Sequence, residues 1–355
     1  MWGYNTIEWD LFNADVRSAL SVSLFTWGMI DMRKYYFICN PASRSGRGIE
    51  VWNNVEAYLK EKEIPYEILF SEAVGHVREL VKKLCIEHAE DEEVVNVIIL
   101  GGDGTLDEAL QGITDFDRIN IGYIPTGSGN DFARYCDFGD DAIYNLKKIL
   151  RVEEPKLIDI GKLEYLDDTG VRSSIAGEDV PKTHWFDVSC GIGFDAAICE
   201  RVLESKAKKV LNNLKLGSLV YLFNALKILF VDKTPNAKLI LEDKEEIDLK
   251  KIRFVVGMNT CYEGGGYKFS PEAVPDDGYL DVCQISNISS LGALMLIPRA
   301  SKGNHVGNKH VGVYHVKSFE VKADIPLWVH TDGEVYTKSA HIRVSVEPAR
   351  LRFLM

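Results

Sequence analysis

The sequence predicts an α/β protein of two domains, a doubly wound N-terminal half followed by a mainly antiparallel C-terminal half. Three observations carry this. Val97 to Leu100 is a short, wholly apolar run of the kind buried in a parallel sheet; it meets Gly101-Gly102-Asp103-Gly104 and then a helical stretch from Thr105 to Ile113. Residues 121–134, IGYIPTGSGNDFAR, repeat the order of strand, glycine-rich turn and helix. After Glu153-Glu154-Pro155 the apolar runs follow one another without helices of regular length between them.

Size and charge set bounds. The chain has 355 residues, 46% of them hydrophobic, enough for two cores. Its net charge of -12 argues against nucleic acid as a partner and against a general pull toward anionic membranes, although a local basic face can still dock. Seven scattered cysteines with no CxxC pair fit a reducing cytosol better than disulfides or structural zinc. Ser18 to Ile30 is mostly apolar but too short to span a bilayer, and Glu8, Asp10 and Asp15 before it carry the wrong charge for a secretory signal. Residues 1–31 are read as an N-terminal extension, with translation starting naturally at Met29 or Met32; a surface-docking helix is the alternative.

The N-terminal half reads in order as follows. Tyr35 to Cys39 is a strand, and Asn40 to Gly48 is a cationic glycine-rich loop in which Arg44 or Arg47 can meet a phosphate or stay solvated. Ile49 to Lys62 is an amphipathic helix with Val51, Val55, Tyr58 and Leu59 on its apolar face. Tyr66 to Phe70 is the next strand, with Ser71 and Glu72 at its carboxyl end, and Gly75-His76 opens a helix in which His76 is structural. Glycines between a strand and a helix let backbone N–H groups approach an anion, and the helix N-terminus adds its dipole. Asp103 inside such a loop suits a cation or ribose hydroxyls and is expected to face ligand rather than core; a tight turn with a capping Asp is the plain alternative. Thr126, Gly127, Ser128 and Gly129 supply small hydroxyls and amides, and Asn130 or Asp131 can cap the helix that follows. Two such loops one βαβ unit apart open at the same carboxyl edge of one sheet, where α/β folds bind ligands. There is no GxxxxGK[ST] motif, which excludes the common P-loop.

In the C-terminal half, Lys156 to Tyr165, His184 to Cys190, Ala237 to Glu242 and Ile252 to Met258 read as strands, and Asp167 to Lys182 as a long exposed hairpin loop. Asp195 is expected to cap a helix. Arg201 to Val231 is helical in pattern, with an apolar stripe and with Lys208 and Lys209 largely off it; the stripe packs on the sheet or lies in a membrane interface. Three glycines followed by Asp276-Asp277-Gly278 form an acidic, sharply turning loop, suited to a hard cation or to a plain hairpin. Leu291 to Ala300 is a short helix. Strands near Val311 to Val321 and Leu327 to His330 lead to Asp332-Gly333-Glu334, a turn that can aim a carboxylate into a cleft or simply close a hairpin; His341 to Val346 is the last strand.

GGDGT alone resembles several ATP-using families, among them phosphofructokinases and NAD kinases. GGDGTLDEAL together with IPTGSGNDFAR resembles the diacylglycerol kinase catalytic domain of the bacterial soluble lipid kinases, relatives of sphingosine and ceramide kinases. The resemblance spans about residues 32–355, with Asp107 where the pattern usually has Asn. It implies an α/β nucleotide-binding domain at 32–152, joined by the C-terminal segment 347–355, and a β-sandwich lipid-substrate domain at 153–346. FDVSCGIGFD, residues 186–195, is similar to the family's turn between the domains, and Lys302-Gly303-Asn304-His305 to its Lys-Gly-x-His; chemistry gives His305 no role.

The resemblance implies Mg-ATP between the domains. Asn40, Pro41, Ser43 and Gly46 would lie on the nucleotide, with Ser71 and Glu108 beside it. Gly101, Gly102, Asp103, Gly104 and Thr105 form the second loop on the phosphates, and Thr126, Gly127, Ser128 and Asn130 the third. It also implies a structural Mg2+ held by the Asp277 carboxylate and the carbonyls of Val274 and Tyr279. Asp332 and Glu334 are both placed in the active site; Glu334, with the longer reach, is the first choice as proton acceptor, and Asp332 would orient it or contact the lipid hydroxyl. The implied activity is phosphorylation of a lipid hydroxyl, diacylglycerol first, then phosphatidylglycerol, a sphingoid base or an isoprenoid alcohol. An NAD kinase and a non-catalytic nucleotide- or lipid-binding regulator are the alternatives. A cytoplasmic enzyme is expected, meeting its lipid peripherally at the inner membrane face, with a homodimer compatible.

Overall fold

The chain's last strand runs through both halves of the molecule and joins them into one sheet. The computed structural model describes residues 33–173, 180–204, 229–230, 233–242 and 244–355. The N-terminal half runs β1 (Tyr35–Cys39), α1 (Ser43–Glu61), β2 (Tyr66–Phe70), α2 (His76–Glu87), β3 (Val95–Gly101), α3 (Asp103–Gly112), β4 (Ile119–Pro125), α4 (Asp131–Tyr135) and α5 (Ala142–Leu150). The strands lie in the order β4-β3-β1-β2, all parallel. Every residue of β1, β3 and β4 is buried, because helices cover both faces and no strand residue can turn to water. α2 packs with α3, and α1 with α5, as expected of a doubly wound fold.

The C-terminal half contains β5 (Lys156–Tyr165), β6 (Thr183–Phe186), β7 (Ser189–Gly193), α6 (Phe194–Glu204), β8 (Ala237–Leu241), β9 (Glu245–Leu249) and β10 (Phe254–Met258). β11 (Leu280–Ile285), α7 (Ser290–Ala300), β12 (Val311–Val316), β13 (Ser318–Thr331) and β14 (Glu334–Phe353) complete it. Apart from the junction with β4, its pairings are antiparallel. The first part of β13 pairs with β8 and its last residues with β7; an irregularity between Lys322 and Leu327 lets the strand leave one layer and enter the other. Phe186, Ile192, Val255, Phe319 and Val344 fill the space between the layers. At its end β14 turns parallel to β4, pairing Arg352 with Asn120 and Phe353 with Ile121, and Phe353 packs edge-on against Phe132 at 5.0 Å.

Several elements differ from the expectation. The strand expected at His184 to Cys190 is two strands, because the amides of residues 187–189 leave the ladder for the Asp332 side chain. β9 and β11 were not expected. α1 starts six residues early, but Arg44, Ser45 and Gly46 have left-handed backbone, so its regular part begins after them. The readings of residues 1–31, and of Lys208 and Lys209 with most of the helix around them, lie outside the described residues. Among the described residues no helix is long and apolar enough to cross a membrane.

Candidate active site

Three loops meet at the carboxyl edge of the parallel sheet. Ser43 Oγ in the loop after β1 is 2.7 Å from Thr126 Oγ1 in the loop after β4. Asn40 Nδ2 donates to Thr105 Oγ1 in the first turn of α3, just after β3, at 3.3 Å. The Thr126 amide donates to the Gly101 carbonyl at 2.7 Å. Glycine is required where the second and third loops touch: a Cβ on Gly127 would stand 2.6 Å from the Gly102 Cα. Arg44 and Ser45 hold φ of +45° and +62°, a costly conformation for non-glycine residues. Pro41 and Gly46 line the same loop, half-buried, and Ser128 stands exposed at the tip of the third. Ser71 is buried, its amide on the Cys39 carbonyl at 2.9 Å.

Four acids here, Asp103, Asp131, Glu108 and Asp332, hold backbone amides, and Glu334 lies against α3. Asp103, expected to face ligand, accepts the amides of Asn130 at 2.6 Å and Asp131 at 3.0 Å through its two oxygens. These are unpaired donors at the start of α4, where Asn130 is left-handed and its own side chain makes no cap bond, so the capping expected of Asn130 or Asp131 falls to Asp103. Asp131 turns its Oδ2 to the Gly265 amide, 2.8 Å away. Glu108, expected beside the nucleotide, has its oxygens on the amides of Gly75 and Val77, at 2.9 and 3.2 Å, and so caps α2. Asp332 accepts the amides of Asp187, Val188 and Ser189 at 2.8–3.0 Å. That holds the break between β6 and β7. Glu334, two residues on, reaches the first turn of α3, where a Cβ on Gly104 would lie 2.8 Å from its Oε1.

Negative charge is concentrated here. Burial, and next to it the Asp131 charge, pushes the Asp103 carboxyl up to about 7 against its two amide bonds. Asp107 is wholly buried; burial raises its carboxyl well above the ordinary range, and Asp332 and Glu334 add to that. Burial likewise raises Asp187, with Asp332 the next cause.

The acidic loop after β10 is fastened separately. Asp159 accepts the amides of Gly278 and Ala349, each at 2.7 Å, and so ties the loop to the bend in β14. Asp277 accepts the Tyr279 amide at 3.0 Å, and Asp276 pairs with Lys156 at 2.7 Å. Val274 and Tyr279 flank it, half-buried. His305 is buried with Nε2 3.0 Å from the Phe269 carbonyl, a structural tie.

Sequence reasoning missed Asp159 and a buried cluster of Asp195, Glu263 and His330. Asp195, expected to cap a helix, lies in the first turn of α6 with Oδ2 3.1 Å from His330 Nε2. The signal available was a histidine two residues before the Asp332-Gly333-Glu334 turn, on a strand already expected at Leu327 to His330.

Residues 34–163 match the diacylglycerol kinase catalytic domain, and residues 189–355 match the YegS C-terminal NAD kinase beta sandwich-like domain. The chain is 28% identical over 325 residues to the Bacillus subtilis protein named "Putative lipid kinase YtlR", covering 90% of this chain and 99% of that one. It is 26% identical over 326 residues to a Mycobacterium tuberculosis protein named "Diacylglycerol kinase", covering 91% and 96%. Its fold is similar to the crystal structure of a "putative diacylglycerol kinase" from Bacillus anthracis, with a TM-score of 0.66 and 20% identity over 91% of this chain and 95% of that one. With the catalytic domain and the sandwich matched in this order, the chain belongs to the diacylglycerol kinase family and is a lipid kinase.

Proposed function

We propose that the protein transfers the γ-phosphate of Mg-ATP to the free hydroxyl of diacylglycerol, giving phosphatidic acid, with Glu334 taking the hydroxyl proton. The observation that carries this reading is the place of Glu334: its Oε1 lies against the first turn of α3, 2.8 Å from where a Cβ on Gly104 would stand, directly after the second glycine loop. A primary alcohol has a very high pKa, so its proton leaves as the oxygen attacks, and a carboxylate within hydrogen-bond reach can take it. The new O–P bond forms as the bond from the γ-phosphorus to the bridging oxygen breaks, and ADP leaves. Phosphoryl transfer of this kind is catalysed mainly by positioning and charge stabilisation. In this reading the three loops position the phosphates, using the hydroxyls and amides of Asn40 to Gly46, Gly101 to Thr105 and Thr126 to Asn130.

Magnesium bound with the nucleotide would neutralise phosphate charge. For a structural Mg2+, the Asp277 carboxylate and the Val274 and Tyr279 carbonyls are hard oxygen donors and fit the ion. Asp159 holds that loop in shape through the Gly278 amide.

The test is the initial rate with labelled ATP on mixed micelles containing diacylglycerol, phosphatidylglycerol, a sphingoid base or an isoprenoid alcohol. Diacylglycerol should be phosphorylated fastest. Faster turnover of another lipid would move the assignment to it, and no turnover of any would overturn the reaction proposed. Vesicle co-sedimentation tests the peripheral membrane contact that the reading requires.

A further inference from the structure

The mechanism above leaves unused a polar cluster centred on a buried histidine. His330 lies fully inside β13, two residues before the turn that carries Glu334. Its Nε2 is 3.1 Å from Asp195 Oδ2 and 3.3 Å from Glu263 Oε1. Its Nδ1 accepts the Gly333 N–H at 3.2 Å. Gly333 is the middle residue of Asp332-Gly333-Glu334 and has φ of +86°, so this bond grips the turn at its bend. The fold leaves room for the cluster by placing a glycine opposite it. Gly191 is the β7 partner of His330, and a Cβ there would stand 2.0 Å from Asp195 Oδ2 and 2.4 Å from His330 Nε2.

Three such side chains can also be read as metal ligands. The ring nitrogens distinguish the two readings. A neutral imidazole has one N–H and one lone-pair nitrogen. Against its burial, the carboxylates of Asp195 and Glu263 raise the pKa of His330 and favour a second ring proton, but the Gly333 N–H pointing at Nδ1 requires a lone pair there; in that tautomer Nε2 carries the proton and donates toward the carboxylates, leaving no lone pair for a cation. The cluster also touches the nucleotide side: Glu263 belongs to a tight loop whose Gly265 amide donates to Asp131, in the first turn of α4.

We infer that His330, held by Asp195 and Glu263, is a positioning residue that fixes the Asp332-Gly333-Glu334 turn through the Gly333 amide and so aims Glu334 at the lipid hydroxyl. This rests on Glu334 being the proton acceptor. Misplacing a reacting group by about 1 Å can cost on the order of 10²-fold in rate.

The experiment compares kcat and KM for ATP in the full-length wild type, His330→Ala, His330→Asn, His330→Gln and Glu334→Gln. An Asn side chain puts its oxygen near the position of Nδ1 and keeps an acceptor for Gly333; Gln puts its amide near Nε2 and keeps only the donor to the carboxylates. His330→Ala should lower kcat about 10²-fold with KM for ATP unchanged, His330→Asn should recover most of that, and His330→Gln less. His330→Ala within about twofold of wild type, or Gln rescuing as well as Asn, would overturn the positioning role while leaving Glu334→Gln to report on the base. A Glu334→Gln enzyme of near wild-type kcat would instead remove the base reading and this inference with it. Should the variants fail to fold, ring 15N shifts of labelled histidine in the wild-type protein decide. Protonated Nε2 with bare Nδ1 supports the inference; a proton on both nitrogens, or bare Nε2 as a metal ligand requires, overturns it.

Discussion

The Glu334 carboxylate, at the start of β14, lies against Gly104, in the first turn of α3: a Cβ on Gly104 would stand 2.8 Å from Glu334 Oε1. Gly104 therefore leaves room for an acid from the other half of the molecule. Gly104→Ala must push Glu334 aside. In the proposed mechanism this lowers kcat about 10²-fold with little change in melting temperature, because the carboxylate is the flexible partner. Kinetics and a melt on the same preparation check it.

Glu334→Gln keeps the shape and removes the base, so kcat should fall by about 10²–10⁴ with ATP affinity nearly unchanged. Asp332→Asn should behave differently. An Asn offers one acceptor oxygen to three amides and turns an NH2 group toward one of them, so about 1–3 kcal/mol of stability should be lost and the melting temperature should drop. If Asp332→Asn melts like wild type but has the larger kcat defect, the roles are reversed.

Asp103→Ala should now cost stability as well as turnover. The side chain caps α4 and clamps the second loop to the third. Loss of a cap costs about 0.5–2 kcal/mol. A variant with wild-type melting behaviour and no activity would restore the view that Asp103 faces only ligand.

The raised Asp103 carboxyl has a consequence for pH. Its ordinary value is 3.8 and burial brings it to about 7, so between these values the folded chain keeps a proton that the unfolded chain has lost. The resulting contribution to stability is complete below the lower value and is lost as pH rises through the upper one. Asp103→Asn cannot titrate there. The stability of wild type relative to that variant should therefore decline as pH is raised from about 5 to about 8. Denaturant titrations at both pH values give the comparison.

Asp277→Ala should abolish any rise in melting temperature that the wild type shows on adding Mg2+ without nucleotide, and should lower activity. An unchanged Mg2+ response in the variant would remove the ion from this loop.

The local features were legible in the sequence for local reasons. Val97 to Leu100 reads as a buried parallel strand because both its faces must be apolar. Gly102 and Gly127 announce tight loops. Even β13 was visible in pieces, at Leu327 to His330. The roles of individual acids were not legible. Asp103, Glu108, Asp159 and Asp332 each look like a capping or catalytic carboxylate, and nothing adjacent distinguishes them.

The sequence by itself determined the parallel sheet, the three glycine loops, the change to antiparallel strands after Pro155 and the lipid-kinase family, since these depend on periodicity and on short motifs. Only the tertiary structure decided which backbone amides the individual carboxylates hold, and that Glu334 lies against Gly104. The amides that occupy Asp103 lie 27 and 28 positions away, and those that occupy Asp332 lie 143 to 145 away. A hydrogen bond between such residues exists only once the sheet has brought β13 beside β7, and the loop after β4 beside the start of α3. An acid's role is set by the donors that surround it, and here those donors come from distant strands and loops.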